Sequence, residues 1–191
     1  MSAPAEEGAA PIRMLVVVAS QTGRTARMAD AFAAGARAAR VETVVKRAEE
    51  AQPADLDPID ALALGSGVHM GGMESSMRAF FERCAPLWLQ GAMIGKVGAA
   101  FCCSGAGARG GAELTLVSLL SNLAEHGMLL VPMHNRLEGF ASAGCHWGPV
   151  AWTNPRSGRA GPTEDHLVAC RAHGGWVAEC TARLRRGDRA G

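Results

Sequence analysis

The chain has 191 residues, which fits one globular domain, and 48% of its residues are hydrophobic while 19% are charged. The formal net charge of +1 gives no support to nucleic-acid binding, which usually needs a basic patch. No apolar run approaches the roughly 20 residues that a membrane-spanning helix needs. We therefore expect a protein that contacts neither nucleic acid nor a membrane.

The six cysteines form no CxxC pair and lie mostly within apolar runs. This pattern is typical of reduced thiols in a cytoplasmic protein. Residues 1–11 are rich in Ala, Glu and Pro and have neither the basic start nor the apolar stretch of a signal peptide. We expect a disordered N-terminal extension over 1–11 and a single domain over 12–187, located in the cytoplasm.

From residue 13 onward, short apolar runs alternate with segments of helical periodicity. The predicted strands cover 13–19, 41–46, 61–66, 97–103 and 128–133, and the predicted helices cover 25–40, 73–84, 112–126 and 163–185. Residues 134–162 are rich in Gly, Pro and Asn and are expected to form one long loop. The alternation predicts a flavodoxin-like α/β fold, with a five-stranded parallel sheet of order 2-1-3-4-5 and helices on both faces.

The loop after the first strand has the composition of a phosphate site. Hydroxyls and a glycine stand there just ahead of a helix, in the order Ser20, Gln21, Thr22, Gly23, Arg24 and Thr25. Backbone N–H groups at a helix N-terminus bind phosphate, and each charge-assisted hydrogen bond contributes about 1.5–3 kcal/mol. A helix start capped by polar turn residues is the structural alternative.

Two further loops, over 65–72 and 103–111, follow the third and fourth strands and are rich in glycine. In this fold such loops meet at one edge of the sheet. Glycine lets the backbone approach a flat ring, and backbone N–H groups can reach the edge of an isoalloxazine. The chain has no GxxxxGK[ST] motif and lacks the glycine spacing of a dinucleotide-binding turn. These loops predict a site for flavin mononucleotide (FMN) rather than for ATP or tightly held NAD.

The same loops, together with several later segments, resemble the WrbA family of flavodoxin-like NAD(P)H:quinone oxidoreductases. The matching pieces preserve their order along most of the chain: Met73 with Met77-Arg-Ala-Phe80, Leu87-Trp88, Gly91-Ala92, Gly95-Lys96, Ser104-Gly-Ala-Gly107, His126-Gly-Met128, Val131-Pro132 and Gly144-Cys-His-Trp-Gly148.

The resemblance implies three sets of FMN contacts and a wall for the substrate. The phosphate is expected on residues 20–25, the ring on Val68, His69, Met70 and Gly71, and further cofactor contacts on Cys103, Ser104, Gly105, Ala106, Gly107 and Ala108. Trp88 is expected to line the substrate side of the flavin, and Trp147, in the long loop, to add aromatic surface there or across a subunit contact. The family builds this wall between neighbouring subunits, which predicts a homo-oligomer, either a dimer or a tetramer.

Two departures from the family pattern affect the site. The family commonly has a Thr-Arg-aromatic triplet where this chain has Val68, His69 and Met70, and it has a histidine where this chain has Glu125. A family insertion between the second and third strands is also missing here. These differences bear on flavin affinity, nicotinamide choice and oligomeric state.

The leading functional prediction is an FMN-dependent oxidoreductase that passes two electrons from NAD(P)H to a quinone by ping-pong hydride transfer. No Ser/His/Asp or Cys/His signature for nucleophilic catalysis occurs, which agrees with chemistry carried by the flavin and not by a side chain. The alternatives are a reductase for a nitro compound, an azo compound or free flavin, an electron-carrier flavodoxin, and an FMN-free member without enzymatic activity. The histidines lack metal-ligand spacing with acids or thiols, so no metal is predicted.

Overall fold

The computed structural model describes residues 10–105, 109–153 and 161–187, the side chains of 109 and 110 excepted. The elements of these residues, in chain order, are β1 (Arg13–Ala19), α1 (Arg24–Ala38), β2 (Glu42–Arg47), β3 (Ala61–His69), β4 (Gly72–Met73), α2 (Ser75–Arg83), α3 (Ala85–Leu89), β5 (Val97–Gly105), α4 (Arg109–Glu125), β6 (Leu129–Leu130), α5 (Phe140–Ala143), β7 (Val150–Thr153) and α6 (Glu164–Gly187). Most of the predicted extension over 1–11 lies outside the described residues.

The main strands form a parallel sheet in the order β2-β1-β3-β5-β6, which confirms the predicted flavodoxin-like order. Every residue of β1 after Arg13 is buried, as a continuous apolar run in a sheet covered on both faces predicts. One face packs against α1 and α6, and the other packs against α2 and α4. The sheet therefore lies between two helical layers.

Glycines let α1 and α6 approach each other closely. A Cβ atom added at Gly35 of α1 would lie 1.9 Å from the Arg171 carbonyl oxygen, and one added at Gly174 of α6 would lie 2.0 Å from that of Phe32. No side chain fits at these distances, so the two backbones pack directly against each other. This contact fixes α6 over the sheet.

The predicted fifth strand over 128–133 is wrong in extent. Only β6 pairs with the start of β5, and the chain then leaves the sheet. Its place beside the end of β5 is taken by β7, which pairs from Cys102↔Val150 to Gly105↔Thr153. The fifth position of the sheet is thus split, and the predicted loop over 134–162 contains both α5 and β7. Pro132 has no N–H to donate to a ladder, which accounts for the early end of β6.

The predicted helix over 73–84 also differs at its start. Strand β3 continues to His69 and turns back through Met70 and Gly71 into β4, forming a short antiparallel hairpin. Helix α2 begins only at Ser75. The hairpin carries the second predicted loop beyond the edge of the sheet.

Polar groups close the edge of the sheet where the parallel strands begin. The Arg13 N–H donates to Asp60 Oδ2 at 2.8 Å, and the guanidinium of Arg185, in the last turn of α6, pairs with the same carboxylate. Lys96 Nζ donates to the carbonyl oxygens of Leu56 and Asp57, each at 2.9 Å. Side chains thus tie β1, β3 and α6 together at this edge.

Candidate flavin site

The three predicted loops meet at the opposite edge of the sheet. The parallel register places Ala19, the last residue of β1, beside Ser66 of β3, and Ser66 beside Cys102 of β5. Strands β3 and β5 continue past this level to His69 and Gly105. This is the edge at which open α/β sheets bind ligands. The loops that the sequence selects as a site are therefore neighbours in space.

The loop over 20–25 is held in shape by its own backbone and by β2. Gly23 has φ +76°, in the left-handed region, and stands immediately before α1. The buried Ser20 accepts the Ala26 N–H on its Oγ at 3.2 Å, and Arg47 Nη2 donates to the Ser20 carbonyl oxygen at 3.1 Å. Gln21 is exposed. The serine predicted to bind phosphate therefore also accepts an N–H group from the first turn of α1.

The start of α1 leaves hydrogen-bond donors available. Its first helical bond runs from the Arg27 N–H to the Gly23 carbonyl oxygen at 3.2 Å, and the N–H groups of Arg24 and Thr25 have no acceptor within the described residues. The Thr22 side chain beside them is exposed, whereas Thr25 is buried. Unpaired N–H groups, hydroxyls and a glycine without a side chain to obstruct them fit the phosphate of FMN.

The β3–β4 hairpin forms the second side of the site. Its tip consists of Met70 at φ 48° and Gly71 at φ 85°, and the Met70 side chain is fully exposed. A Cβ atom at Gly111 of α4 would lie 3.2 Å from the Gly71 Cα, so the start of α4 packs closely under the tip. The hairpin therefore holds its backbone at a fixed place over the edge of the sheet, where a flavin ring is expected.

The third loop begins on β5. Thr153 of β7 donates from Oγ1 to the Ser104 carbonyl oxygen at 3.2 Å, so the strand missed by sequence analysis supports this loop. Gly105 is exposed at the end of β5, and Ala106, Gly107 and Ala108 lie outside the described residues.

The cysteines near this edge are not activated. Burial raises the pKa of the Cys103 thiol to about 11 and that of Cys102 well above its usual value. A thiol with a raised pKa is a poor nucleophile at neutral pH, because the thiolate is the reactive form. The geometry thus favours a binding role for this part of β5.

Within the described residues, no group of histidine, cysteine and acidic side chains has the arrangement of a metal site.

Glu74 is a residue of the site that sequence analysis missed. It is 3% exposed, and its Oε1 lies 3.5 Å from Nε2 of His69, one of the predicted ring contacts. A glutamate next to a helix start is usually a solvated acid that suits the helix dipole, so its sequence position gave no signal of burial. The hairpin that buries it was not predicted either.

Trp88 lies far from these loops within one chain. It lines a cleft of about 250 Å³ together with Phe81 of α2 and with Asn122 and His126 at the end of α4. Helix α4 starts at the site edge and rises about 1.5 Å per residue, which separates Asn122 from that edge by roughly 20 Å. A single chain does not bring Trp88 to its own flavin loops.

Trp147 precedes a glycine that lies beside β5. The glycine after it, Gly148, packs against the Ala100 carbonyl oxygen, in the middle of β5. Both tryptophans are about half exposed, at 47% for Trp88 and 48% for Trp147. Their apolar surfaces are available to a neighbouring molecule.

No helix within the described residues has the length and apolar character to span a membrane.

The fold and the loops together define a flavodoxin-like protein. A family model described as "Flavodoxin domain" matches residues 15–117. The fold is similar to that of a WrbA-like flavodoxin from Agrobacterium tumefaciens, with a TM-score of 0.70 and 24% identity over 90% of this chain and 98% of the other. It is also similar to a flavodoxin from the domain Archaea, with a TM-score of 0.69 and 22% identity over 90% and 99% of the two chains.

Sequence comparison identifies relatives within the flavodoxin-like proteins. A protein named NAD(P)H dehydrogenase (quinone) from Methylocella silvestris is 34% identical over 91% of this chain and 98% of its own length. One of the same name from Paraburkholderia phymatum is 33% identical over 90% and 98%. The chain belongs to the WrbA-type NAD(P)H dehydrogenase (quinone) family of flavodoxin-domain proteins, which confirms the resemblance found in the sequence.

Proposed function

We propose that this chain binds FMN and transfers two electrons from NAD(P)H to a quinone in the cytoplasm. The observation that supports the proposal is made at the edge where the strands end. There the backbone N–H groups of Arg24 and Thr25 have no hydrogen-bond acceptor within the described residues. Relatives that match about nine-tenths of the chain are named for this reaction. Bound FMN supplies the hydride chemistry, and the protein supplies position and electrostatics.

The residues of this chain divide the binding task between two loops. The loop over 20–25 offers directed hydrogen bonds to a phosphate, each contributing about 1.5–3 kcal/mol, whereas the helix dipole adds only about 0.3–1 kcal/mol. The hairpin over 68–73 offers backbone groups to the ring. Phosphate contacts should therefore dominate affinity, and FMN should bind more tightly than riboflavin.

The second substrate needs a wall that one chain does not provide. Trp88 lies about 20 Å along α4 from the flavin loops, so it reaches a flavin only across a contact between subunits. We extend the proposal to a homo-oligomer in which Trp88 of one chain covers the flavin of another. NAD(P)H and quinone would then use one covered face in turn, with ping-pong kinetics.

The test begins with the purified protein. We expect a flavin absorption spectrum, its bleaching by NADH or NADPH without oxygen, and recovery on adding a quinone. Bleaching without recovery by quinone would indicate another acceptor, and absence of flavin after incubation with FMN would exclude the proposed function.

The shared wall is tested by Trp88→Ala, with Leu89→Ala as the matched control, because Leu89 is the next residue of α3 and is 77% exposed. We expect Trp88→Ala to lower quinone turnover about tenfold, close to the 1.4 kcal/mol expected for one aromatic contact, while FMN stays bound. Dilution should abolish turnover before flavin is lost. Full activity in a monomer shown by sedimentation would contradict the shared site.

A further inference from the structure

A buried carboxylate lies inside the flavin edge of the sheet. Only 4% of the Glu74 side chain is exposed, and a Cβ atom added at Gly67 would lie 2.4 Å from Glu74 Oε1. The carboxylate therefore occupies the space that a side chain at position 67 would fill. Within the described residues, the ionisable group recorded in contact with it is His69, at 3.5 Å.

The backbone around Glu74 fixes this placement. Glu74 stands between the end of β4 and the start of α2, and its N–H donates to Ser66 Oγ at 2.9 Å. The Ser66 hydroxyl in turn donates to the Gly67 carbonyl oxygen at 2.8 Å. The hairpin and the end of β3 are thereby tied together, and burying the charge is a consequence of that arrangement. Burial of a carboxylate is costly and needs a compensating role or partner.

The carboxylate lies against Gly67, on the face of the sheet that packs against α1. Val68 and Met73 pack into the core against α2 and α4, so Gly67 occupies the opposite face, as does its register partner Cys103. Burial is the largest cause of the raised pKa of Cys103, and the charge of Arg24 lowers this pKa while that of Glu74 raises it. Glu74 thus lies near enough to Cys103 for its charge to act on that thiol.

We propose that Glu74 sets the reduction potential of the bound flavin, holding it low and making the reduced cofactor a stronger hydride donor to quinone. This inference rests on the proposed function. A hydride brings two electrons and one proton to a neutral oxidised ring, leaving one negative charge on it, while NAD(P)H becomes NAD(P)⁺. A fixed negative charge nearby disfavours that charged form, and charge near the ring is a principal means by which proteins tune flavins.

His69 contacts the carboxylate directly. The charges of Glu74 and Arg24 act in opposite directions on the pKa of the Cys103 thiol, which burial raises most. Glu74 is not a catalytic residue, because it acts on the flavin through its charge and transfers no group. Its effect is therefore measured on the cofactor itself, independently of turnover.

The experiment compares the FMN midpoint potentials of three variants with that of the wild-type holoprotein by equilibration with a reference dye. Glu74→Gln removes the charge and keeps the shape, Glu74→Asp keeps the charge, and Glu50→Gln removes an exposed carboxylate after β2. We expect Glu74→Gln to favour reduced over oxidised FMN about tenfold more than wild type does, a rise of about 30 mV for a two-electron couple. The other two variants should stay near wild type.

An unchanged midpoint in Glu74→Gln, or an equal rise in Glu74→Asp, would overturn the inference while leaving the proposed function intact. A wild-type protein that takes up no FMN would overturn both. Flavin binding without quinone turnover would end the proposed function, and the midpoints would still decide the role of Glu74. If Glu74→Gln loses FMN, His69→Lys serves instead: a fixed positive charge beside Glu74 should raise the midpoint, and an unchanged or lowered value would overturn the inference.

Discussion

The two edges of the parallel sheet use their polar groups in opposite ways. Where the strands begin, Asp60 is bonded to the Arg13 N–H and to Arg185, and Lys96 is bonded to two carbonyl oxygens. Where the strands end, the N–H groups of Arg24 and Thr25 have no acceptor within the described residues, and Glu74 is buried with a histidine as its recorded partner.

The edge where the strands begin contributes to the stability of the fold, whereas the edge where they end is the candidate ligand site. Side chains at the first edge bond to backbone groups and to one another and connect distant parts of the chain, which stabilises the fold. The N–H groups of Arg24 and Thr25 at the second edge have no such partners within the described residues, and this is where the proposed function would place FMN. Substitutions at the two edges should therefore change different measurements.

The largest effect is expected at the open edge. Replacing both Thr22 and Thr25 with valine removes two hydroxyls from the phosphate loop and should weaken FMN binding by roughly 3–6 kcal/mol, at about 1.5–3 kcal/mol for each hydrogen bond to a charged group. The unfolding free energy of the flavin-free protein should change by only about 1 kcal/mol, because Thr22 is exposed and Thr25 alone is buried.

Isothermal titration with FMN and with riboflavin measures this loss. Riboflavin lacks the phosphate, so its affinity should be the same in the double variant and in wild type. Equal losses for the two ligands would place the threonines against the ring and not the phosphate.

A somewhat smaller effect is expected from the core beneath both edges. His173 of α6 is fully buried, with Nε2 at 3.0 Å from the Val131 carbonyl oxygen, and burial lowers its pKa from 6.5 to about 4. The unfolded chain takes up a proton below about pH 6.5, and the folded chain does so only near pH 4. The contribution of His173 to the free energy of unfolding is therefore fully present above pH 6.5. It is lost as the pH drops from 6.5 to 4, by roughly 3 kcal/mol in all.

Urea unfolding of wild type and His173→Gln across this pH range tests the assignment. Glutamine keeps an N–H donor for Val131 but does not titrate, so the variant should show a much shallower loss of stability in acid. The same slope in both proteins would assign the acid sensitivity to other groups.

The smallest effect is expected at the closed edge. Asp60→Asn should lower the free energy of unfolding by about 1–2 kcal/mol, because it weakens the bonds to the Arg13 N–H and to the partly exposed Arg185. Asp57→Asn is the matched control, since Asp57 is exposed and only its carbonyl oxygen is bonded. FMN affinity should stay unchanged in both variants. A loss of FMN affinity in Asp60→Asn would show that the two edges are coupled.

The sequence predicted the elements that depend on local pattern. Strand β1 has the predicted bounds, because a continuous apolar run followed by a polar turn specifies a buried strand. The loop over 20–25 could be predicted as a phosphate site because its hydroxyls, glycine and following helix are contiguous in the chain. The order of the main strands followed from the alternation of strands and helices.

What the sequence could not predict depends on contacts between distant segments. The run over 128–133 looks like one strand, yet only β6 pairs, and the sheet edge passes to β7 from within a segment rich in Gly, Pro and Asn. The β3–β4 hairpin has its turn at Met70, a residue type that rarely adopts positive φ, so no local signal marked it.

By itself, then, the sequence determined the fold class and the family and predicted a phosphate loop, because each is encoded in adjacent residues or in a periodic pattern. The tertiary structure decided that Glu74 is buried beside His69 and that Trp88 lies near the far end of α4. Burial and distance are properties of the packed chain. They arise only when the hairpin folds over the end of β3 and when α4 separates the two edges of the sheet.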